Sequence, residues 1–349
     1  MQALALHTFH ERNSARFATY HDREIVRDCG DVRAEYAAAR DQAALFDFSY
    51  CETLRVSGPD SVSFLQGMLT NDIASIPVNG STYAALLTLK GAMVADARVL
   101  KRSDDLLLEV EPGFGSTVQA ALQRYVVSEE VEISDASSDF GLLAIAGLKS
   151  EAMLANALPP FEGAIAQLPE GTLWRAPEEP MGPTWQRLIV PAKMLLQVAD
   201  RLSSALSAGS RWAGFDAYEV LRVEAGMPRY GIDCDEHTIP LEANLHRAIS
   251  YDKGCYIGQE VIARTTYRGH VNRKLCGVTL DAGLPPPRAE LSSNGKAVGS
   301  ITSAVQSPSL RQAIALAYVH RESSAPGSRL DVAGYSGTGL VHPLPFVGS

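Results

Sequence analysis

Residues 219–274 read EVLRVEAGMPRYGIDCDEHTIPLEANLHRAISYDKGCYIGQEVIARTTYRGHVNRK, and they differ in texture from the rest of the chain. Three chemical features meet there. Glu224 lies on a predicted helix that Ala225-Gly226-Met227-Pro228 ends, since glycine and proline both interrupt helices. Asp233, Asp235 and Glu236 form an acidic loop that closes at Pro240. Lys253-Gly254-Cys255-Tyr256-Ile257-Gly258-Gln259-Glu260 reads as a turn running into a helix. Cys255 is the sharpest of these residues. It follows a lysine by two positions and precedes a helix start, and both positive potentials favour a thiolate. Gly254 and Gly258 let backbone approach closely, as a ligand site often needs. Spacing alone also allows a tight packing corner at Gly-Cys-Tyr.

Working outward, the upstream chain alternates strands and helices. Residues 33–46 read as a helix rich in alanine, closed by Leu45 and Phe46. A strand at 52–57 turns at Gly58-Pro59-Asp60, and Asp60 caps a helix whose stripe is Val62, Phe64, Leu65, Met68 and Leu69. Strands are predicted at 82–89, 94–100 and 105–110, then a helix at 115–127. Leu142–Ala146 with Gly147, a helix at 149–157, strands near 171–175 and 187–191 and a helix at 193–207 repeat that plan. TLRVSG and LLAIAG are the matching starts. Two related α+β units follow, with chance recurrence of strand–Gly–helix as the alternative. PEEPMGP (177–183) and LPPPRAE (284–290) read as linkers. Beyond 271, KLCGVTL, KAVGSITSAV, AIALAYV, RLDVAG and GTGLVH are short strands between turns, as in a small barrel or sandwich.

The chain has 349 residues, 46% hydrophobic and 20% charged, enough for two or three domains. That balance excludes a disordered chain, a collagen and a coiled-coil rod. A net charge of −9 does not suit phosphate-backbone binding, so no nucleic-acid partner is expected. No apolar run can span a bilayer, and residues 1–12 do not read as a signal peptide, so no membrane and a cytoplasmic location are expected. Five cysteines without a CxxC pair predict neither a disulfide framework nor a closed zinc site. Asp233, Asp235 and Glu236 with His237 and His246 read as a solvated loop before a metal site, and no metal is expected. Arg264, Arg268, Arg273 and Lys274 make a basic patch that is either an ordinary helix end or a face for an anionic tail or acidic partner.

The segment KGCYIGQE, preceded by IPLEANL and followed by ARTTYRG, resembles the signature of the YgfZ family of folate-binding proteins. That family is similar in fold to the glycine-cleavage T-protein, a tetrahydrofolate-dependent aminomethyltransferase. LRVEAGMPRYGIDCDEHTIPLE resembles a stretch both share, and EYAAARDQAALFDFSY and LRVSGPDSVSFLQGMLTND resemble the same superfamily. Only 125–215 is weakly marked. The resemblance implies an α+β fold: two interleaved ferredoxin-like units within residues 1–270 (repeats about 51–130 and 140–210) and a C-terminal β-barrel at 271–349, around a central folate channel. It implies tetrahydrofolate or a one-carbon derivative as cofactor, held by Tyr83, Asp96, Glu224 and Lys253, with Asp96 and Cys255 as the catalytic candidates. Glu224 matches a carboxylate that holds the pterin, and Asp96 an acid that orients the folate amine or manages its proton. The activity implied is support of iron–sulfur cluster assembly or repair in client enzymes, with iron–sulfur client or assembly proteins as partners of a monomer. The alternatives are a folate-dependent aminomethyltransferase and a non-catalytic scaffold. Three departures from the T-protein pattern bear on that choice: Ala95-Asp96 where two acids are usual, Glu111-Pro112 where an asparagine is usual, and Cys255 itself. They weigh against aminomethyl transfer and leave pterin binding intact.

Overall fold

The computed structural model describes residues 1–177, 181 and 184–347. Most of the PEEPMGP linker expected at 177–183 lies outside the described residues. A short helix α1 (His7–Arg12) precedes a hairpin, β1 (Arg16–Tyr20) and β2 (Arg23–Asp28). Helix α2 (Val32–Asp41) starts where Asp31 accepts from the amides of Arg33 and Ala34 at 3.0 and 3.1 Å, satisfying two donors that a helix start leaves open. It stops earlier than the sequence suggests. Ala44–Asp47 is a fully buried strand, β3. A four-residue apolar run carries no period, so a helix pattern upstream absorbs it.

Two sheets then repeat one topology. In the first, β4 (Glu52–Ser57) leads through α3 (Ser61–Met68) into β5 (Ser81–Leu87), β6 (Met93–Lys101) and β7 (Asp105–Val110), followed by α4 (Gly115–Gln123) and β8 (Glu132–Asp135). Its strand order is β5-β6-β7-β4-β8. In the second, β9 (Phe140–Ala146) leads through α5 (Ser150–Ala157) into β10 (Ile165–Leu168), β11 (Gly171–Pro177) and β12 (Gln186–Pro191), followed by α6 (Ala192–Ser204) and β13 (Arg211–Trp212). Its order is β10-β11-β12-β9-β3-β13. In both, the last strand of a three-strand meander returns antiparallel to the first strand. Both first strands end on a glycine in the left-handed region, Gly58 at φ +107° and Gly147 at φ +106°. A Cβ would lie 2.1 Å from the Glu130 carbonyl oxygen at Gly58 and 2.3 Å from that of Gln42 at Gly147. Only glycine fits either corner.

Helix α7 (Phe215–Glu224) follows, then a long irregular stretch and α8 (Gln259–Tyr267). The remaining strands, β14 (Arg273–Leu280), β15 (Glu290–Ser293), β16 (Lys296–Ser307), β17 (Gln312–His320), β18 (Arg329–Val332) and β19 (Thr338–His342), close into a barrel ordered β14-β17-β16-β15-β18-β19. Alternation along its strands fills the interior with Cys276, Val278, Leu291, Ala315, Ala317 and Leu330. The opposite face of β14 and β17 sends Leu275, Ile314, Leu316 and Tyr318 onto Val223 and Phe346. The fold is thus the expected one: α+β with a C-terminal barrel. β15 went unrecognised, because its alternation is only Ala289 and Leu291 about Glu290 and follows three prolines.

By compactness the chain divides into two units. One comprises Met1–Gln66, Asp72–Tyr83 and Ala97–Tyr218; the other comprises Gly67–Asn71, Ala84–Asp96 and Glu219–Ser349.

Candidate functional site

The unit ending at Ser349 contains the whole of residues 219–274, together with Asp96. Within it, residues 67–71 act as a rail for the KGCYIGQE segment. The Lys253 amine, 8% exposed, donates to the carbonyls of Leu69 and Asn71, both at 2.7 Å, and lies 5.3 Å from the Tyr256 ring centre. Thr70 Oγ1 donates to Ala248 O at 2.5 Å and accepts from Ala85 N at 2.8 Å. Ile257 N donates to Gly67 O at 3.1 Å. A buried ammonium needs such acceptors, because desolvation without them is costly. Lysine's charge therefore staples the loop from beneath.

Gly258 precedes α8 at φ +83°, and a Cβ there would lie 2.6 Å from Thr88 O. That close approach is the one the sequence suggests. Gly254 differs: nothing lies within 4 Å of where its Cβ would be, so packing does not require it. Cys255 is exposed, whereas Cys51, Cys234 and Cys276 are buried and Cys29 is half-buried. Burial, with Glu35 and Asp28 nearby, pushes the Cys29 thiol up to about 12. Burial likewise raises Cys51 and Cys276. Cys255 is the thiol that solvent reaches.

Asp96 is half-buried on β6 between the buried Ala95 and Ala97, so strand alternation directs it away from the core side. Its charge, with those of Cys234, Asp235 and Glu236, adds to burial in raising the Tyr230 hydroxyl well above its ordinary range. The Tyr230 hydroxyl reaches Met93 O at 3.4 Å. Asp96 and the acidic loop thus surround one buried phenol.

Glu224 is fully buried. Its Oε1 accepts from Ser307 Oγ at 2.5 Å, and its carbonyl accepts from Phe346 N at 2.8 Å. The end of α7 is thereby joined to β16 and to the chain beyond the barrel. Tyr83 belongs to the other unit, half-buried on β5, with the Arg98 guanidinium 5.9 Å from its ring centre. The structure thus gathers Lys253 and Cys255 on one loop, sets Asp96 beside Tyr230, and encloses Glu224 against the barrel.

Asp233, which the sequence placed in a solvated acidic loop, is fully buried. It accepts from Arg222 Nη1 at 2.7 Å, Arg229 N at 3.1 Å, Thr302 Oγ1 at 2.5 Å and Ser303 Oγ at 2.7 Å. Arg222, also fully buried, holds Glu219 and Met227 O as well. This network fixes the turn after α7 to β16. No single motif marks it, since Thr302 and Ser303 lie about 70 positions from Asp233. Asp235 instead accepts from His237 N and Thr238 Oγ1, both at 3.0 Å. Among the described residues, no group of three His, Cys, Asp or Glu side chains is placed to hold a metal. Among them, too, no helix is long and apolar enough to cross a membrane.

A duplicated α+β sheet followed by a six-stranded barrel defines the class, and sequence comparison gives the family. The GCVT N-terminal domain model matches residues 6–173 and 187–253, and the glycine cleavage T-protein C-terminal barrel domain model matches 273–346. The chain belongs to the glycine cleavage T-protein family. Similar proteins include the aminomethyltransferase of Rubrobacter xylanophilus, 29% identical over 98% of this chain and 93% of that protein. The aminomethyltransferase of Bacillus subtilis is 29% identical over 88% of each chain. The glycine cleavage system aminomethyltransferase T of Bartonella henselae superposes with a TM-score of 0.88 at 25% identity, covering 99% of this chain and 98% of that one.

Proposed function

We propose that the chain binds tetrahydrofolate or a one-carbon derivative and acts in folate-dependent aminomethyl transfer. The observation that carries this reading is the likeness to aminomethyltransferases over nearly the whole chain, in sequence and in fold. When bound, tetrahydrofolate supplies the amine that accepts the one-carbon unit. The fit of this chain's residues is uneven. Asp96 suits this chemistry, being half-buried, on an open strand face, and within reach of solvent to orient the amine or hold its proton. Tyr83 offers a half-buried ring to a flat heterocycle. Glu224 is fully buried and spends Oε1 on Ser307, so a ligand must reach it inside the unit. Lys253 spends two of its three donors on Leu69 and Asn71 and is 8% exposed, so it suits a structural staple better than a ligand contact.

The test is calorimetric titration with tetrahydrofolate on wild type, Glu224→Ala and Cys255→Ala, followed by turnover with an aminomethylated, lipoylated carrier protein. Binding by wild type and Cys255→Ala, with turnover by both, is expected. Absence of heat and of competition by any reduced folate overturns the proposal.

A second reading rests on the exposed thiol of the KGCYIGQE loop. It is the YgfZ-like role, in which folate binding supports iron–sulfur assembly or repair in client enzymes. One cysteine cannot hold a cluster that normally takes four ligands, so Cys255 would share or pass a ligand with a client or assembly protein. Folate binding without carrier turnover, with cluster-enzyme activity lost in cells carrying Cys255→Ala, selects this reading.

A further inference from the structure

Helix α8 and the chain to Lys274 stand out from the rest of the surface. Residues 259–274 carry Arg264, Arg268, Arg273 and Lys274 against the single acid Glu260, a formal excess of three positive charges in a chain whose net charge is −9. Arg273 is engaged with Glu242 at 3.3 Å and lies over the Tyr318 ring at 4.7 Å. Arg264 meets Glu260 at 2.7 Å, but both side chains are largely in water, 70% and 83% exposed, where such a pair is worth little. Arg268 and His270 are exposed. Two of the chain's exposed large apolar side chains sit here as well: Tyr267 at 69% and Tyr251 at 39%. The Tyr251 hydroxyl bonds to the side chain of Thr266, the neighbour of Tyr267 in sequence, and meets His246 Nδ1 at 3.3 Å.

Exposed tyrosine and arginine together form the composition that carries binding energy at protein interfaces. The local excess of positive charge, set in a chain of net charge −9, steers an anionic partner to this face. An anionic tail of a small molecule would need only the charges. The tyrosines give the face a second component that a peptide backbone and side chains can cover. We infer that α8 and its C-terminal flank dock an acidic polypeptide, and that the docked segment lies alongside Cys255. This docking is independent of the folate reading, because no folate takes part in its test.

The probe is a fluorescein-labelled peptide rich in Asp, Glu and Leu, titrated by fluorescence anisotropy into the full chain at low salt. Wild type binds it, and affinity falls as salt rises. The exposed double charge reversal Arg264→Glu with Arg268→Glu weakens binding at least tenfold, Arg264→Lys with Arg268→Lys restores most of it, and Tyr267→Ala weakens it severalfold. Saturating peptide slows alkylation of Cys255 by iodoacetamide. Thermal melts of the variants match wild type, since these side chains are in water. Binding that survives charge reversal, or that leaves the Cys255 alkylation rate unchanged, overturns the inference. So does penta-γ-glutamate binding with the same charge dependence while the acidic peptide does not bind.

Discussion

In the first α+β copy, β4 to α4, the meander carries Tyr83 and Asp96 as half-buried side chains, and its residues are divided between the two compact units. In the second, β9 to α6, the corresponding strands β10 and β11 carry Gln167, bonded to Thr172 at 2.9 Å, and Arg175, paired with Glu151 at 3.3 Å. That copy lies wholly in one unit around an apolar core of Leu143, Ile145, Leu188, Val190, Met194 and Val198. The meander beside the first strand and the glycine corner are common to both, while β3 stands between β9 and β13 in the second sheet alone. The frame therefore occurs twice, while the two strand-borne site candidates, Tyr83 and Asp96, lie in the first copy.

Two substitutions, Asp96→Asn and Leu143→Ala, separate the copies. The largest effect is expected in the first copy. Asp96→Asn should lower carrier turnover by about 10²–10⁴-fold, with stability changed by about 0.5 kcal/mol or less. A loss of stability in place of rate would make Asp96 a structural residue and erase the contrast. In the second copy the order reverses. Leu143 is fully buried, and Leu143→Ala should cost about 2–5 kcal/mol in urea unfolding. Tetrahydrofolate affinity of the folded protein should not change. A lost affinity without lost stability would show that the second copy also contacts ligand.

A smaller effect tests the half-buried Cys29, beside α2, whose thiol is pushed from 9.0 up to about 12 by burial and by Glu35 and Asp28. Its folded value exceeds its unfolded one, so the native state holds the proton longer. Stability from this group is intact below about pH 9 and falls as pH rises towards 12. Cys29→Ser should flatten the decline of Tm over that alkaline range relative to wild type. Parallel declines would remove Cys29 as a cause.

Much of this frame was legible because local rules and tertiary structure agree. TLRVSG and LLAIAG each read as strand, glycine corner and helix, and the left-handed Gly58 and Gly147 are where that reading places the turn. Five of the six barrel strands showed as short runs between turns, and β15 did not. Ala44, Leu45 and Phe46 of β3 were misread as helix because burial on both faces removes the period. At the candidate site, the close backbone approach at Gly258 was readable from its residue type. Asp233 was not, because an acidic residue in a polar loop gives no sign that Arg222, Thr302 and Ser303 will enclose it. Nor could the sequence show that the Lys253 amine donates to the backbone carbonyls of Leu69 and Asn71.

The Lys253 staple also has a consequence in time. Its amine bonds Leu69 O across 184 residues of chain. A ribosome adding about 5–20 residues per second needs roughly 10–40 s to cover that interval. Until then the carbonyls of Leu69 and Asn71 have no ammonium to receive, and the rail under the thiol loop is unfinished. The second α+β copy, whose strands and helices all lie between Ala44 and Trp212, has by then left the synthesis machinery with its partners beside it. The loop that bears Cys255 is thus among the last parts of the molecule to acquire its support.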